Sequence, residues 1–475
     1  MSELLKPDIC VIGAGSGGLS VAAAAAAFGV SVVLIEKARM GGDCLNTGCV
    51  PSKALIAAGN AARTVERAAE FGIFGSLGEV DFPSVHDHVH EVIAHIEPND
   101  SVERFTGMGV RVIQAEGRFV DTRTVEAGAV QIRARRFVIA TGSRAAVPPI
   151  PGLADSGYLT NETIFDNKVL PDHLIVIGGG PIGMELAQAH RRLGAGVTVL
   201  EAQKAMGRDD PEAAGVVVSA VRADGVTIRE EARVKSVARA GSTIKVEIET
   251  AGGEETIEGS HLLVATGRRP NVEGLGLDLA RINTDERGAV LVDSSMCTSN
   301  RRVFAIGDVA GGFQFTHWAN YHAGLVIRSI LFRMHATENT DVITWVTYTD
   351  PELAHVGLTE EQARRRHKGV RVLRWPLAEN DRAQAERRTQ GFVKVVTDRK
   401  GRILGVDVVG HNAGEQIALW TLAISQGLDV KAVTGLVLPY PTLTESAKRA
   451  AILFYTPSLT NPWLRRIIRF LRLFG

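Results

Sequence analysis

Cys44 and Cys49 are the residues whose types and spacing point most directly to chemistry. They lie in Gly-Gly-Asp-Cys-Leu-Asn-Thr-Gly-Cys-Val-Pro-Ser-Lys, residues 41–53. A short loop containing Gly48 can fold back far enough to bring two Cα atoms within disulfide distance. Pro51 marks the opening of a helix. Cys49 therefore sits at a helix N-terminus, where backbone dipoles favour thiolate over thiol. A thiolate beside a reachable partner sulfur is a redox centre that stores two electrons. The other two cysteines, Cys10 in an apolar strand and Cys297 near a turn, read as buried inert thiols.

The elements that must position this pair are announced by an internal echo. Residues 8–18 and 173–183 each run from an apolar strand into G-x-G-x-x-G, first as Gly13, Gly15 and Gly18, then as Gly178, Gly180 and Gly183. Each set is followed by a helix, a second strand and an acid, Glu36 in one copy and Glu201 in the other. The first glycine makes the tight turn, the second admits a pyrophosphate to the backbone, and the third lets helix and strand pack closely. The pyrophosphate then rests on the helix N-terminus, and the acid accepts hydrogen bonds from a ribose diol. One such motif is weak evidence. Two copies in matched context predict an α/β chain with two Rossmann-like dinucleotide-binding domains. Ala-Thr-Gly ends a strand twice, at 140–142 and 265–267, marking crossings between a nucleotide domain and its neighbour. From about residue 346 strands (392–397, 403–409) alternate with helices (413–426), which predicts a separate α+β domain.

Composition narrows the class. At 475 residues several domains are expected. Lys+Arg and Asp+Glu are each 53, leaving no bulk charge for nucleic acid. Four cysteines do not make a secreted disulfide scaffold. The first strand already runs at residue 10, with no signal peptide before it, so the expected compartment is the cytoplasm.

Two dinucleotide fingerprints around a C-x₄-C pair resemble the class I pyridine nucleotide–disulfide oxidoreductases, the flavoenzymes that include dihydrolipoamide dehydrogenase, glutathione reductase and mercuric reductase. The likeness covers about residues 8–455. It implies FAD on the first fingerprint and a nicotinamide dinucleotide on the second. It implies four segments: a FAD-binding domain with the redox disulfide (1–150), an NAD-binding domain (151–270), a central part completing the FAD site (271–345) and a dimerisation domain (346–456); residues 457–475 beyond them read as a fifth segment, a basic amphipathic tail. Asp308 matches the aspartate that holds the flavin ribityl chain. Lys53 matches the lysine near flavin N5, and Glu185 its ion-pair partner; burying such a lysine requires an acid. Gly117 and Thr316 fall where family backbone contacts FAD, and Val234 and Gly267 where it contacts the nicotinamide dinucleotide. Cys49 takes the place of the thiolate held against the flavin, and Cys44 that of the sulfur that meets substrate. Glu201 argues for NADH over NADPH, because a carboxylate there binds the ribose 2′-hydroxyl and repels a 2′-phosphate. Arg208, seven residues on, would soften that preference.

The chain departs from the family at its proton shuttle. Disulfide reductases carry His-Pro-Thr-x-x-Glu, whose histidine reaches across a homodimer interface. Here the segment is Tyr440-Pro441-Thr442-Leu443-Thr444-Glu445. A phenol, with an ordinary pKa near ~10, is a poor base at neutral pH. Tyrosine at this place is similar to mercuric reductase, since two thiolates capture a soft metal ion without a general base. Yet the C-terminal cysteine pair of mercuric reductases is missing, and Cys297 is the last cysteine. His86, His88 and His90 alternate like a metal tract, but helical spacing would scatter them, so no metal site is expected. His317, next to Thr316, falls near the expected flavin and reads as structural.

The tail carries Arg465, Arg469 and Arg472 on one helical face, with Ile467, Ile468, Leu471 and Phe474 on the other. Residues 463–475 therefore read as a surface helix that contacts a membrane peripherally, or as a packing element. The leading expectation is a homodimeric FAD enzyme that passes electrons from NADH through Cys44–Cys49 to a soft metal ion or other small acceptor. Dihydrolipoamide dehydrogenase is the alternative within the class. A membrane-docked redox module for a protein or quinone partner is the alternative outside it.

Overall fold

Strand Ile9–Ile12 is wholly buried, and Val32–Glu36 is buried up to its final acid. Unbroken apolar runs of this kind form when helices cover both faces of a parallel sheet. In the computed structural model, which describes residues 3–474, these two strands are the centre of a five-stranded sheet. Its order is Val303–Ala305, Arg136–Ile139, Ile9–Ile12, Val32–Glu36, Arg111–Gln114. Every pairing in it is parallel. Chain order reverses beside Ile9–Ile12, the place where such sheets bind ligands at strand C-termini. The second fingerprint builds a parallel four-stranded sheet, Thr227–Arg229, Gly196–Leu200, His173–Ile177, His261–Val264. The α/β class and the paired nucleotide folds are as expected.

Small residues bring the helices close. Helix Ser16–Ala27, with its six alanines, packs on helix Thr316–Phe332. A Cβ on Gly17 would lie 3.2 Å from that of Ala319. Helix Cys49–Arg67 crosses helix Pro181–Arg192 in the same manner, and a Cβ on Gly59 would lie 3.2 Å from the Ala189 carbonyl.

The chain forms two compact units. The first is Met1–Ala202 with Val226–Glu338, and the second is Gln203–Gly225 with Asn339–Gly475. These do not follow the five expected segments one for one, because 203–225 leaves the nucleotide domains and joins the C-terminal region. There an antiparallel sheet runs Thr344–Thr347, Glu352–Gly357, Ile403–Gly410, Phe392–Thr397, Arg371–Pro376. Helix Pro211–Ala223 packs on two of its three inner strands, Glu352–Gly357 and Ile403–Gly410. The physical reason is a polar clamp under an apolar face. Lys394, 7% exposed, meets Asp210 and Glu360, each at 2.8 Å. Trp345 donates its indole N–H to Asp209 at 2.7 Å.

Candidate active site

The glycines of both fingerprints divide the labour as their spacing predicts. Gly13 and Gly178 hold φ of +103° and +111°, and a Cβ on either would strike the carbonyl of Ala140 or Ala265 at 2.4 Å. Gly18 and Gly183 lie against the carbonyls of Gly13 and Gly178, where a Cβ would fall within about 2 Å. A Cβ at Gly180 would meet nothing within 4 Å, and one at Gly15 only the Gly42 Cα at 4.0 Å. The first and third glycines thus serve the fold, while the second leaves a cradle that any side chain would fill. Glu36 accepts the Ala14 N–H at 2.7 Å, and Glu201 accepts the Gly179 N–H at 2.7 Å. Each acid is thereby fixed beside its turn. These two cradles fit dinucleotides. Gly267, with φ +122° and open space at its Cβ position, fits close approach of a cofactor to backbone. Val234 sits half-buried at the start of strand Arg233–Ala240. Gly117 opens strand Gly117–Phe119, where a Cβ would press Ile35 at 3.2 Å.

The cysteine loop folds as one helical turn, Gly42–Asn46, followed directly by helix Cys49–Arg67. The long helix begins at Cys49 itself, two residues before Pro51. Gly41 and Gly42 hold φ of +86° and +59°. A Cβ on Gly42 would come within 2.7 Å of the Gly15 Cα, so the cysteine loop lies directly on the first fingerprint. Asp43 ties the turn together, accepting from Thr47 Oγ1 at 2.9 Å and Asn161 Nδ2 at 3.1 Å. Both thiols are free, the reduced form of the expected redox pair.

The two sulfurs share one proton unequally. Cys44 donates its S–H to Cys49, which holds Cys49 down at about 6 and pushes Cys44 well above the ordinary thiol range. The Thr316 hydroxyl, 3.3 Å from Cys49 Sγ, and the Lys53 ammonium lower Cys49 further. Lys53 Nζ lies 2.8 Å from Glu185 Oε2, and Glu185 is only 7% exposed. The Gly59–Ala189 helix crossing brings this pair together. Cys10 is fully buried, and burial raises its thiol as it does that of Cys297.

Asp308 lies in a short 3₁₀ turn after strand Val303–Ala305. Ser143 donates its hydroxyl to Asp308 and accepts from Arg268 Nε at 2.7 Å. Arg268 also reaches Asp43 at 3.2 Å, linking the Asp308 turn to the cysteine loop. Burial raises the Asp308 carboxyl. His322 supports the same turn from behind. Its Nδ1 accepts the Gly307 N–H at 3.1 Å and its Nε2 meets Glu338 at 2.9 Å. Sequence reading missed Ser143, Arg268, Asn161, His322 and the Thr316 hydroxyl. Ser143 and Arg268 alone left a signal, each as the residue following an Ala-Thr-Gly.

Other expectations fare differently. Tyr440 donates to Asp381 at 2.7 Å, which raises its phenol further from use as a base. Glu445, the acid that closes the Tyr-Pro-Thr-x-x-Glu segment, is held by Arg449 at 2.9 Å. His86 and His90 are not scattered. Their rings lie 4.2 Å apart, tilted by 43°, on helix Phe82–Ile96, and His90 meets the Phe165 carbonyl. His317 is exposed and stacks on Phe315. Among the described residues no group of three or more His, Cys, Asp or Glu could hold a metal ion.

Residues 7–323 match the family model of the pyridine nucleotide-disulphide oxidoreductases, and residues 343–451 match the dimerisation domain of that family, which supports a homodimer. The chain is 35% identical to a mercuric reductase of Lysinibacillus sphaericus over 94% of its own length and 82% of the relative's. It is 33% identical to a dihydrolipoyl dehydrogenase of Geobacillus stearothermophilus over 94% and 96%. Among solved structures it resembles the HOCl-induced flavoprotein disulfide reductase RclA from Escherichia coli, with TM-score 0.84 and 29% identity over 94% of this chain and 99% of that one. The chain belongs to the class I pyridine nucleotide–disulphide oxidoreductases, FAD-dependent enzymes that work with NAD(P)H.

Proposed function

We propose that this enzyme uses NADH to reduce a soft metal ion at the Cys44–Cys49 pair, with the cytoplasm as its compartment. The observation that carries the reading is the state of the proton donors and acceptors. Cys49 is a thiolate at neutral pH, Cys44 keeps its proton, and the residue in the shuttle position, Tyr440, is a phenol engaged by Asp381. Thiol–disulfide exchange needs a base to free the attacking sulfur. A soft cation drives the proton off by forming the metal–sulfur bond itself. The structure of a Cu(II) complex of RclA, 29% identical, supports a metal-binding reading by analogy.

Gly13, Gly15, Gly18, Glu36, Gly117, Asp308 and Thr316 would hold FAD, and Gly178, Gly180, Gly183, Glu201, Val234 and Gly267 the nicotinamide dinucleotide. Bound FAD would supply two-electron exchange between the nicotinamide and the sulfurs. Lys53, half-buried and paired with the buried Glu185, sets positive charge beside Cys49. Asp308, braced by Ser143 and Arg268, orients polar groups at the same end of the sheet. Glu201 favours a ribose diol over a 2′-phosphate, so kcat/KM for NADH should exceed that for NADPH by more than about tenfold.

The test is NADH oxidation by the flavin-loaded enzyme against a panel of Hg(II), Cu(II), lipoamide and a short-chain quinone. Turnover of a soft metal ion, lost in Cys44→Ala and in Cys49→Ser, is expected. Lipoamide turnover that outpaces every metal would replace this reading with dihydrolipoamide dehydrogenase, the activity named in relatives at 33% identity. A redox module docked to a membrane through residues 463–475 is a reading of another class, favoured by the exposed tail helix and by faster turnover of quinone than of any metal.

A further inference from the structure

Every residue from 455 to 474 is exposed. Yet the segment is built, with helix Pro462–Leu471 opened by proline and capped by Asn461, whose side chain accepts from the Trp463 and Leu464 N–H groups. At 3.6 residues per turn, Arg465, Arg466, Arg469 and Arg472 fall on one stripe. Ile467, Leu471 and Phe474 fall away from that stripe, and Trp463 and Phe470 border it beside Arg466. Trp463 is 71% and Phe474 75% exposed. A helix this short is marginal in water without a surface to bury its apolar face.

The charge pattern identifies that surface. The chain as a whole balances at 53 positive and 53 negative side chains, but residues 456–475 hold four arginines and no acid. Two copies of such a helix would repel one another. Arg465 keeps most of its donors for a partner after giving one N–H to the Leu459 carbonyl at 2.8 Å, and Arg466 lies over the Trp463 ring at 5.8 Å. Apolar side chains that enter the acyl boundary, flanked by arginines at headgroup level, match an anionic lipid surface in both chemistry and geometry. No helix among the described residues is long and apolar enough to cross a membrane. We propose that helix Pro462–Leu471 lies flat on an anionic lipid surface and docks the enzyme there. The docking is independent of which acceptor the thiols reduce.

The experiment uses full-length, flavin-loaded enzyme and co-sedimentation with vesicles of phosphatidylcholine, with and without phosphatidylglycerol. Two variants accompany it. In one, Arg465, Arg466, Arg469 and Arg472 are changed to Gln; in the other, Ile467→Asp is combined with Phe470→Asp. Wild type should bind phosphatidylglycerol vesicles more tightly than neutral ones, by on the order of a hundredfold or more for four arginines, and added salt should release it. Both variants should lose that binding while oxidising NADH at the wild-type rate, so failure here is separable from failure of the metal-reduction reading. Wild type that ignores phosphatidylglycerol, or variants that still bind it, would overturn the proposal. So would variants that dissociate to monomers on size-exclusion chromatography, since a second copy would then be what covers the apolar face.

Discussion

The unequal sharing of a proton between the two sulfurs can be measured directly. Cys49 is held at about 6 first by the S–H donated from Cys44, then by Thr316 and Lys53. At pH 7 a thiol with that value is about nine-tenths thiolate, against a few per cent for one at the ordinary value of about 8.5. Cys44→Ala removes the leading donor and leaves the Thr316 hydroxyl and Lys53 in place. The midpoint should therefore rise by roughly one to two units and stop short of the ordinary value. The assay is the rate of iodoacetamide alkylation of the reduced enzyme from pH 5 to 10. Alkylation of Cys49 at pH 7 should slow about two- to tenfold in Cys44→Ala and match wild type at pH 10. A lower-pKa thiolate is also intrinsically less nucleophilic, so the two alkaline plateaus should differ only modestly. Cys49→Ser should abolish the fast reaction and leave Cys44 slow. A wild-type midpoint near 8.5, or a Cys44→Ala midpoint equal to wild type, would refute the shared-proton argument.

Three further outcomes are expected. Lys53→Met leaves the buried Glu185 carboxylate without its cation and should destabilise the enzyme by about 1–3 kcal/mol, the low end for a broken buried pair because Lys53 is 36% exposed; in urea titrations, adding Glu185→Gln should recover part of the loss, and strict additivity would show that the two groups do not interact. Tyr440→His should raise lipoamide turnover at neutral pH at least tenfold, toward the ~10²–10⁴-fold typical of general bases, with Asp381 rather than the Arg449-bound Glu445 as the imidazole's acceptor, so that Asp381→Asn should cancel the gain. The pH dependence should differ between the two units. Burial depresses His322, so its contribution is complete above the unfolded value of about 6.5 and fades as pH falls. His355 is pushed down by burial but raised on balance by Asp407 at 2.6 Å, so its contribution is complete below that value and is lost as pH rises through the raised one. Hydrogen exchange at pH 5.5 and 7.5 should show protection moving in opposite directions around Gly307 and around His355.

The sequence carried what is local and periodic. Gly13, Gly15 and Gly18 declared a turn, a cradle and a packing contact because each role depends on the absence of a Cβ at a fixed offset. The strands at 392–397 and 403–409 were legible from their apolar runs. Lys53 and Glu185 were reached only through resemblance, since nothing local joins residues on two helices that meet at Gly59 and Ala189. The Arg268–Ser143–Asp308 relay was invisible because it joins three strand ends distant in sequence. The polar partner of Tyr440 was missed for the same reason, Tyr440 lying in a loop and Asp381 at the start of helix Asp381–Ala385. Residues 203–225 were assigned to the nucleotide domain by continuity. Their true neighbours, Lys394 and Trp345, lie far downstream, and no local pattern reports them.

That excursion has a consequence for how the chain is made. Helix Pro211–Ala223 buries Ala213, Val217 and Val221, but the first strand it packs on begins at Glu352. Roughly 130 residues must be synthesised in between, and at 5–20 residues per second the wait is on the order of ten seconds. Throughout it, an apolar stripe and the Asp210 carboxylate emerge from the ribosome ahead of the sheet and the lysine that shelter them. The nascent nucleotide domains can close around their own cores, while this helix stays a client for whatever protects unfinished chains. A premature stop after residue 338 would therefore yield folded dinucleotide sheets bearing one orphaned amphipathic helix, a product prone to self-association. Completion of the last third of the protein is what removes the liability created in its middle.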